Sequence, residues 1–200
     1  MNRPDVVLCD YGAGNLRSVS AAFARAGATT VVSTDPAEVL EAPLAVIAGV
    51  GHVESAARGL QQVAAALRER AARERPTLGI CVGMQLLFDE SEEGGRGLGL
   101  LRGPVRRLRA RRVPHMGWNS LELRRESVLL EGLDEADVYF AHSYAAEPTN
   151  GLAVAEVEHD GRIVAAVEQH ALAGVQFHPE RSGSAGARVL ENVLRWSRNA

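Results

Sequence analysis

In the first part of the chain, apolar residues fall in short unbroken runs. Asp5–Asp10 is such a run and is consistent with a buried parallel strand. Thr29–Ser33, rich in β-branched residues, reads as a second strand, and Leu44–Ala48 as a third. Between the runs the period changes. Leu16, Val19, Phe23 and Ala26 recur at helical spacing, so Asn15 is expected to cap a helix that Gly27 closes. Asp35-Pro36 fits a second helix start, with proline at its first position. Arg58–Glu74 reads as one strongly helical stretch ended by Pro76. A very short strand, Thr77–Ile80, follows, and another helix starts near Gly83. This alternation predicts an α/β fold: a doubly wound, mostly parallel sheet with flanking helices.

The pattern shifts after Glu92. Gly94, Gly95, Gly97 and Gly99 mark loops. Short strands then follow without long helices between them, near Val105–Arg109, Ser120–Leu123, Val138–Ala141, Ala153–Glu158, Ile163–Val167 and Ala173–Phe177. This half is expected to add antiparallel strands. Ser182, Ser184 or Gly186 opens a final helix with Val189, Val193 and Trp196 facing inward. No repeat, linker or low-complexity segment divides the sequence, so a single domain over residues 1–200 is expected.

Composition narrows the chemistry. Net charge is −3, so no global basic field would draw in nucleic acid. The 22 basic residues are all arginine, which excludes a Schiff-base lysine and a Walker A lysine. Cys9 and Cys81 form no C-x-x-C pair, which argues against a metal site or disulfide framework. Cys9, inside an apolar strand, reads as inert core. The N-terminus carries no signal-peptide core and there is no 18-residue apolar run, so neither membrane insertion nor export is expected and the protein reads as cytoplasmic. The arginines between Arg102 and Arg112 alternate with Val105, Leu108 and Ala110. They suggest a solvated strand face or a docking surface for an acidic partner.

Three segments carry chemistry. Gly79-Ile80-Cys81-Val82-Gly83 has the pattern of a nucleophile elbow, with cysteine in place of serine between a strand and a helix. The helix N-terminus would favour thiolate, and the Val82 amide could hold an oxyanion. Gln176-Phe177-His178-Pro179-Glu180 follows a strand at the end where α/β sheets place their sites. His178 could serve Cys81 as general base and later as acid, with Glu180 orienting its imidazole. Gly49-Val50-Gly51 could supply a second oxyanion donor.

Gly-Ile-Cys-Val-Gly-Met-Gln at 79–85 and Gly-Val-Gln-Phe-His-Pro-Glu at 174–180 resemble the class I, triad-type glutamine amidotransferases. Asp10–Leu16, Val113–Asn119, Tyr139–Tyr144 and Arg181-Ser182-Gly183 are similar to signatures of the imidazole glycerol phosphate synthase glutaminases. The resemblance spans residues 5 to 196. It implies a triad of Cys81, His178 and Glu180, with an oxyanion hole from the Val50 and Val82 amides. It also implies a glutamine site of Gly49, Gly51, Gln85, Ser143 and Tyr144. No metal and no cofactor is implied. The partner would be a separate (β/α)₈-barrel cyclase, in a heterodimer, touching Asn15 and Arg181. That cyclase would take ammonia through a protected channel. Together they would form imidazole glycerol phosphate and an aminoimidazole carboxamide ribotide. Two departures bear on this. The family's loop usually has proline before Gly49 and Ala-Phe after Gly51, where this chain has Ala48, His52 and Val53. Arg181 stands where the family often has lysine, with different geometry for the same charge.

Other features are weaker. Gly12-x-Gly14 lacks the third glycine of a dinucleotide fingerprint, since position 17 is Arg17. His115, Met116 and Trp118 are expected in a loop, with Met116 and Trp118 as candidate interface anchors and a core role equally open to Trp118 before the resemblance is weighed. His52, His159 and His170 suggest no partners. The competing readings are a glutaminase subunit of another amidotransferase and an elbow-cysteine peptidase-like hydrolase.

Overall fold

The computed structural model describes residues 4–12, 14–149 and 151–199; Ala13, within the Asp10–Leu16 signature, lies outside them. The first half runs β1 (Val6–Cys9), α1 (Leu16–Arg25), β2 (Thr30–Ser33), α2 (Pro36–Glu41), β3 (Leu44–Gly49), α3 (Val53–Gly59), α4 (Ala64–Ala72), β4 (Thr77–Cys81) and α5 (Val82–Gln85). The second half runs β5 (Glu90–Ser91), β6 (Pro104–Arg107), β7 (His115–Ser120), β8 (Glu122–Leu123), β9 (Asp137–His142), β10 (Tyr144–Ala146), β11 (Ala153–Glu158), β12 (Arg162–Gln169), β13 (Leu172–Val175) and α6 (Gly183–Asn199).

One eight-stranded sheet has the order β2-β1-β3-β4-β13-β12-β11-β8. The strands from β2 to β13 in that order pair in parallel. The remaining three add antiparallel. The α/β architecture with a mostly parallel sheet is the one the strand–helix alternation predicts. The chain steps from β1 to β2 in one direction and to β3 and β4 in the other. Right-handed crossovers therefore place α1 on one face and α2 and α4 on the opposite face. In keeping with this, α1 packs with α6, and α2 with α4. A three-stranded sheet, β10-β6-β5, and a two-stranded ladder, β7-β9, complete the second half. Among the described residues no helix is long and apolar enough to cross a membrane.

Several local expectations need correction. The stretch 58–74 is not one helix. α3 starts at Val53, a 3₁₀ turn occupies Leu60–Gln62, and α4 follows. The 3₁₀ turn brings Leu60 and Val63, three apart, onto one buried face. Asn15 is exposed and makes no side-chain cap bond; its carbonyl oxygen starts α1 by accepting from Ser18 and Val19. The helix after Cys81 is a single turn. His115–Ser120 is a strand and not a loop. Its alternation is real but inverted: polar His115 faces in, while Met116 and Trp118 face out.

Arg70 on α4 is fully buried. Its guanidinium donates to the carbonyls of Val39, Leu40, Ala42 and Pro76 and to the Thr77 hydroxyl. It ties the end of α2 to the start of β4.

Candidate active site

β3, β4 and β13 are neighbours, so the segments after their C-terminal ends converge. The register pairs Gly49 with Cys81 and Val175 with Ile80. The loop after β3, the turn after β4 and residues 176–180 therefore share one site.

Cys81 has φ 53° and ψ −111°, a backbone state that L side chains rarely adopt and that costs about 1–3 kcal/mol. Its neighbours enforce it. A Cβ on Gly79 would lie 2.5 Å from the Gly83 carbonyl oxygen, and one on Gly83 would lie 1.7 Å from that of Ile47. The strand and the following turn cross too closely for a side chain at either position. Cys81 is left at the apex. The single turn of α5 carries little macrodipole. Support for charge on the sulfur must come from side chains.

His178 is one such group. Its Nδ1 lies 2.9 Å from Glu180 Oε1, and both side chains are buried. With Nδ1–H donated to the carboxylate, Nε2 is the nitrogen left to interact with Cys81. Burial disfavours the charged ring, but the bonds to Cys81 and Glu180 outweigh it and push the His178 pKa up to about 10. Glu180 Oε2 is buried with no hydrogen-bond partner among the described residues. The turn is sewn to β9: His178 N–H donates to Tyr139 O at 2.9 Å. Ser182 Oγ donates to His178 O at 2.7 Å and accepts from Tyr139 N–H at 2.9 Å.

Cys81 opens on a pocket of about 240 Å³ whose walls include Val50, Gly51, Val82, Gln85, Ser143 and Tyr144. Gly49 lies outside the lining, buried beneath it. A Cβ there would sit 1.3 Å from the Tyr11 hydroxyl, which donates to Ala48 O at 2.9 Å. Tyr11 thus closes over the base of the loop that carries Val50.

Three pocket features were not foreseen. Glu93 lines the pocket and holds the far end of the loop, accepting from Val53 N–H at 2.8 Å and lying 3.0 Å from His52 Nδ1. His142 also lines it, with Nδ1 2.8 Å from Tyr144 O and Nε2 3.0 Å from His115 Nδ1. Gln176 is fully buried beside Cys81. No local motif marks Glu93, whose partners lie far away in sequence; His142 lies within the Tyr139–Tyr144 signature, but its pairing with His115 spans 27 residues. Gln176 adjoins the His-Pro-Glu segment and could have been suspected from that alone.

The histidines thought partnerless have neighbours. His52 meets Glu93, and His170 lies 3.5 Å from Glu74. His159 stacks on His115 at 4.2 Å. Burial, aided by His159, lowers the His115 pKa to about 4; burial lowers that of His142 to about 3. Both rings are neutral at physiological pH. Among the described residues no group of three or more His, Cys, Asp or Glu is placed to hold a metal ion.

The pocket rim is apolar and open. Met116 is 64% exposed, Trp118 58% and Val50 46%. Trp118 meets Tyr139 edge-on at 6.0 Å, and the exposed Arg181 guanidinium lies 4.2 Å over the Tyr139 ring. A separate cleft of about 350 Å³ holds Arg106, Arg107, Arg109 and Arg162, away from Cys81. Arg106 pairs with Glu92 and Glu147, and Arg162 with Glu156, so this surface carries both signs of charge.

Comparison with known proteins follows this geometry. The family described as "Glutamine amidotransferase class-I" matches residues 7–196. The imidazole glycerol phosphate synthase subunit HisH of Methanothermobacter thermautotrophicus is 44% identical over 193 residues, covering 94% of this chain and 97% of its own length. Subunit HisH of Rhodospirillum rubrum is 45% identical over 211 residues, covering 96% and 99%. The crystal structure of a glutamine amidotransferase from Thermotoga maritima superposes with a TM-score of 0.70 at 17% identity, covering 100% of both chains; that likeness is one of fold.

Proposed function

Because this chain belongs to the class I glutamine amidotransferases, and within them to the HisH glutaminase subunits of imidazole glycerol phosphate synthase in histidine biosynthesis, we propose that Cys81, His178 and Glu180 are its hydrolytic triad. The observation that carries the assignment is the Glu180–His178 bond of 2.9 Å leading to Cys81 at a strained elbow.

The steps follow from the positions. Cys81 Sγ attacks the side-chain carbonyl carbon of glutamine. The carbonyl oxygen becomes an oxyanion held by the Val82 and Val50 N–H groups. The C–N bond breaks as His178 gives its proton to the departing nitrogen, releasing ammonia and leaving a γ-glutamyl thioester. Water, deprotonated by His178, attacks the thioester, and glutamate leaves with the thiolate restored. Glu180 keeps the ring's orientation throughout. Gly51, Gln85, Ser143 and Tyr144 hold the substrate, with Gly49 supporting the loop beneath. The Glu93 carboxylate is the group in the pocket complementary to an α-ammonium.

As a subunit, the chain works with a partner. We take that partner to be a separate (β/α)₈-barrel cyclase that receives the ammonia. The exposed Met116, Trp118 and Arg181, with Asn15, form the docking side, and the pair works in the cytoplasm. The whole chain acts as one glutaminase domain. The test is reconstitution with the cyclase. Cys81→Ala should abolish glutamine-dependent synthesis while synthesis from added ammonium salt survives. Glutamine turnover near wild type in that variant would remove Cys81 from the mechanism.

A further inference from the structure

A second polar side chain meets the sulfur. Gln176, fully buried, places Nε2 3.6 Å from Cys81 Sγ. Which end of this amide faces the sulfur follows by elimination. The Tyr144 carbonyl oxygen can only accept, so the Gln85 atom 2.8 Å from it is Nε2. That nitrogen is also 3.0 Å from Gln176, which must present Oε1 to it. Only the NH₂ of Gln176 then remains for Cys81.

The anchor of this chain is itself held. Tyr144 O also accepts from His142 Nδ1 at 2.8 Å, so His142 carries its hydrogen there. Its Nε2 must accept from His115 Nδ1–H at 3.0 Å, and His115 Nε2 from Asn119 Nδ2 at 3.2 Å. The depressed titration of both rings keeps this pattern intact at neutral pH. The donors and acceptors thus fit in a single arrangement from β7 to the pocket.

We propose that Gln176 is a positioning residue for the nucleophile: its amide N–H, fixed by Gln85 and Tyr144, holds Cys81 Sγ and stabilises its negative charge. The proposal rests on Cys81 being the nucleophile. A hydrogen bond to a charged acceptor is about twice as strong as one to a neutral acceptor. The contact therefore favours the reactive ion pair over the neutral thiol. It also fixes the sulfur's direction on a turn whose helix is too short to help.

The test is alkylation of Cys81 by iodoacetamide across pH in the full chain, beside kcat and KM for glutamine in the complex with the partner subunit. Cys9 is buried, and Cys81→Ala gives the blank. The ionisable groups around the sulfur and its pocket are His178, Tyr11 and Glu93 and, behind them, Glu180 and His142; all stay unchanged in the variants. Gln176→Leu removes the donor, and Gln176→Glu keeps the shape but turns a carboxylate oxygen to the sulfur. Both should move the alkylation profile to higher pH, Glu further than Leu. Both should lower kcat by about ten- to a hundredfold, the range expected for one hydrogen bond to a charged group, with KM little changed. Variants that melt with the wild type and leave the profile and kcat unmoved overturn the proposal. A measurement on the unmutated chain covers the case in which neither variant folds. The Gln176 side-chain amide resonances should shift when Cys81 is alkylated, and resonances that stay put would equally overturn it. Glutamine turnover persisting in Cys81→Ala would refute the nucleophile assignment instead.

Discussion

Glu180 gives one oxygen to His178 and keeps the other buried without a partner among the described residues. The bonded oxygen orients the imidazole and favours its charged form. His178→Ala should be nearly as damaging to glutamine hydrolysis as Cys81→Ala, because it removes the proton carrier. Glu180→Gln should be milder, since the carboxylate only orients. The double variant should cost little beyond the worse single, because triad members act as a unit. Equal and additive losses in kcat would contradict a triad. The Val50 backbone gives a second prediction at this scale. Val50→Ala keeps the N–H and should be mild. Val50→Pro deletes it and should lower the rate of glutamine hydrolysis by about 10²–10³, with glutamine affinity in a Cys81→Ala background as the control for folding. An unchanged rate in a proline variant that binds glutamine would move the donor elsewhere.

At the scale of elements, two segments do work that their patterns conceal. α4 is only weakly one-sided, yet Arg70 makes it the junction between α2 and β4. Arg70→Met should destabilise by at least about 3 kcal/mol, since several buried carbonyls lose a donor at about 1–3 kcal/mol each. A urea midpoint that falls with an unchanged m-value would show it, and an unchanged midpoint would refute it. β7 turns polar His115 inward and leaves Met116 and Trp118 outward. Trp118→Ala should leave the chain's own stability within about 0.5 kcal/mol, as for an ordinary surface change. It should weaken binding to the partner subunit by about 2 kcal/mol or more, as for an interface hot spot. Calorimetric titration measures the second effect, and unchanged affinity would place the partner on another face.

For the whole molecule, titration couples the site to the fold. His115 and His142 titrate below their ordinary 6.5, at about 4 and about 3. The unfolded chain therefore binds more protons than the folded one as pH drops below 6.5, and stability falls towards pH 4. His178 has the opposite sign. Raised to about 10, it contributes stability that is fully present below 6.5 and is lost as pH rises through about 10. Stability should peak near neutral pH, read from urea midpoints at pH 5, 7 and 10. The alkaline limb should flatten in Cys81→Ala, because the bond with Cys81 is the foremost influence raising His178. A limb of unchanged slope in that variant would sever the link between His178 and the sulfur.

The sequence by itself determined the elements whose cause is local. The unbroken apolar runs of β1 and β3 specify strands covered on both faces, whereas β2 lies at the sheet edge with Val32 exposed; the period change specifies the helices between them. The elbow was legible because its glycines and its cysteine lie within five residues, Gly79 to Gly83, although the close approach that demands glycine at 83 comes from Ile47 on β3. His178 and Glu180 were legible because they lie two residues apart in one turn. The tertiary structure alone decided what depends on distant segments meeting. Glu93 pins the loop of Val53 across 40 residues, Gln85 reaches Gln176 across 91, and His115 finds His142 across 27. It decided the inward turn of β7 as well, because a polar ring at a core position is tolerated only when another chain segment supplies its hydrogen bonds.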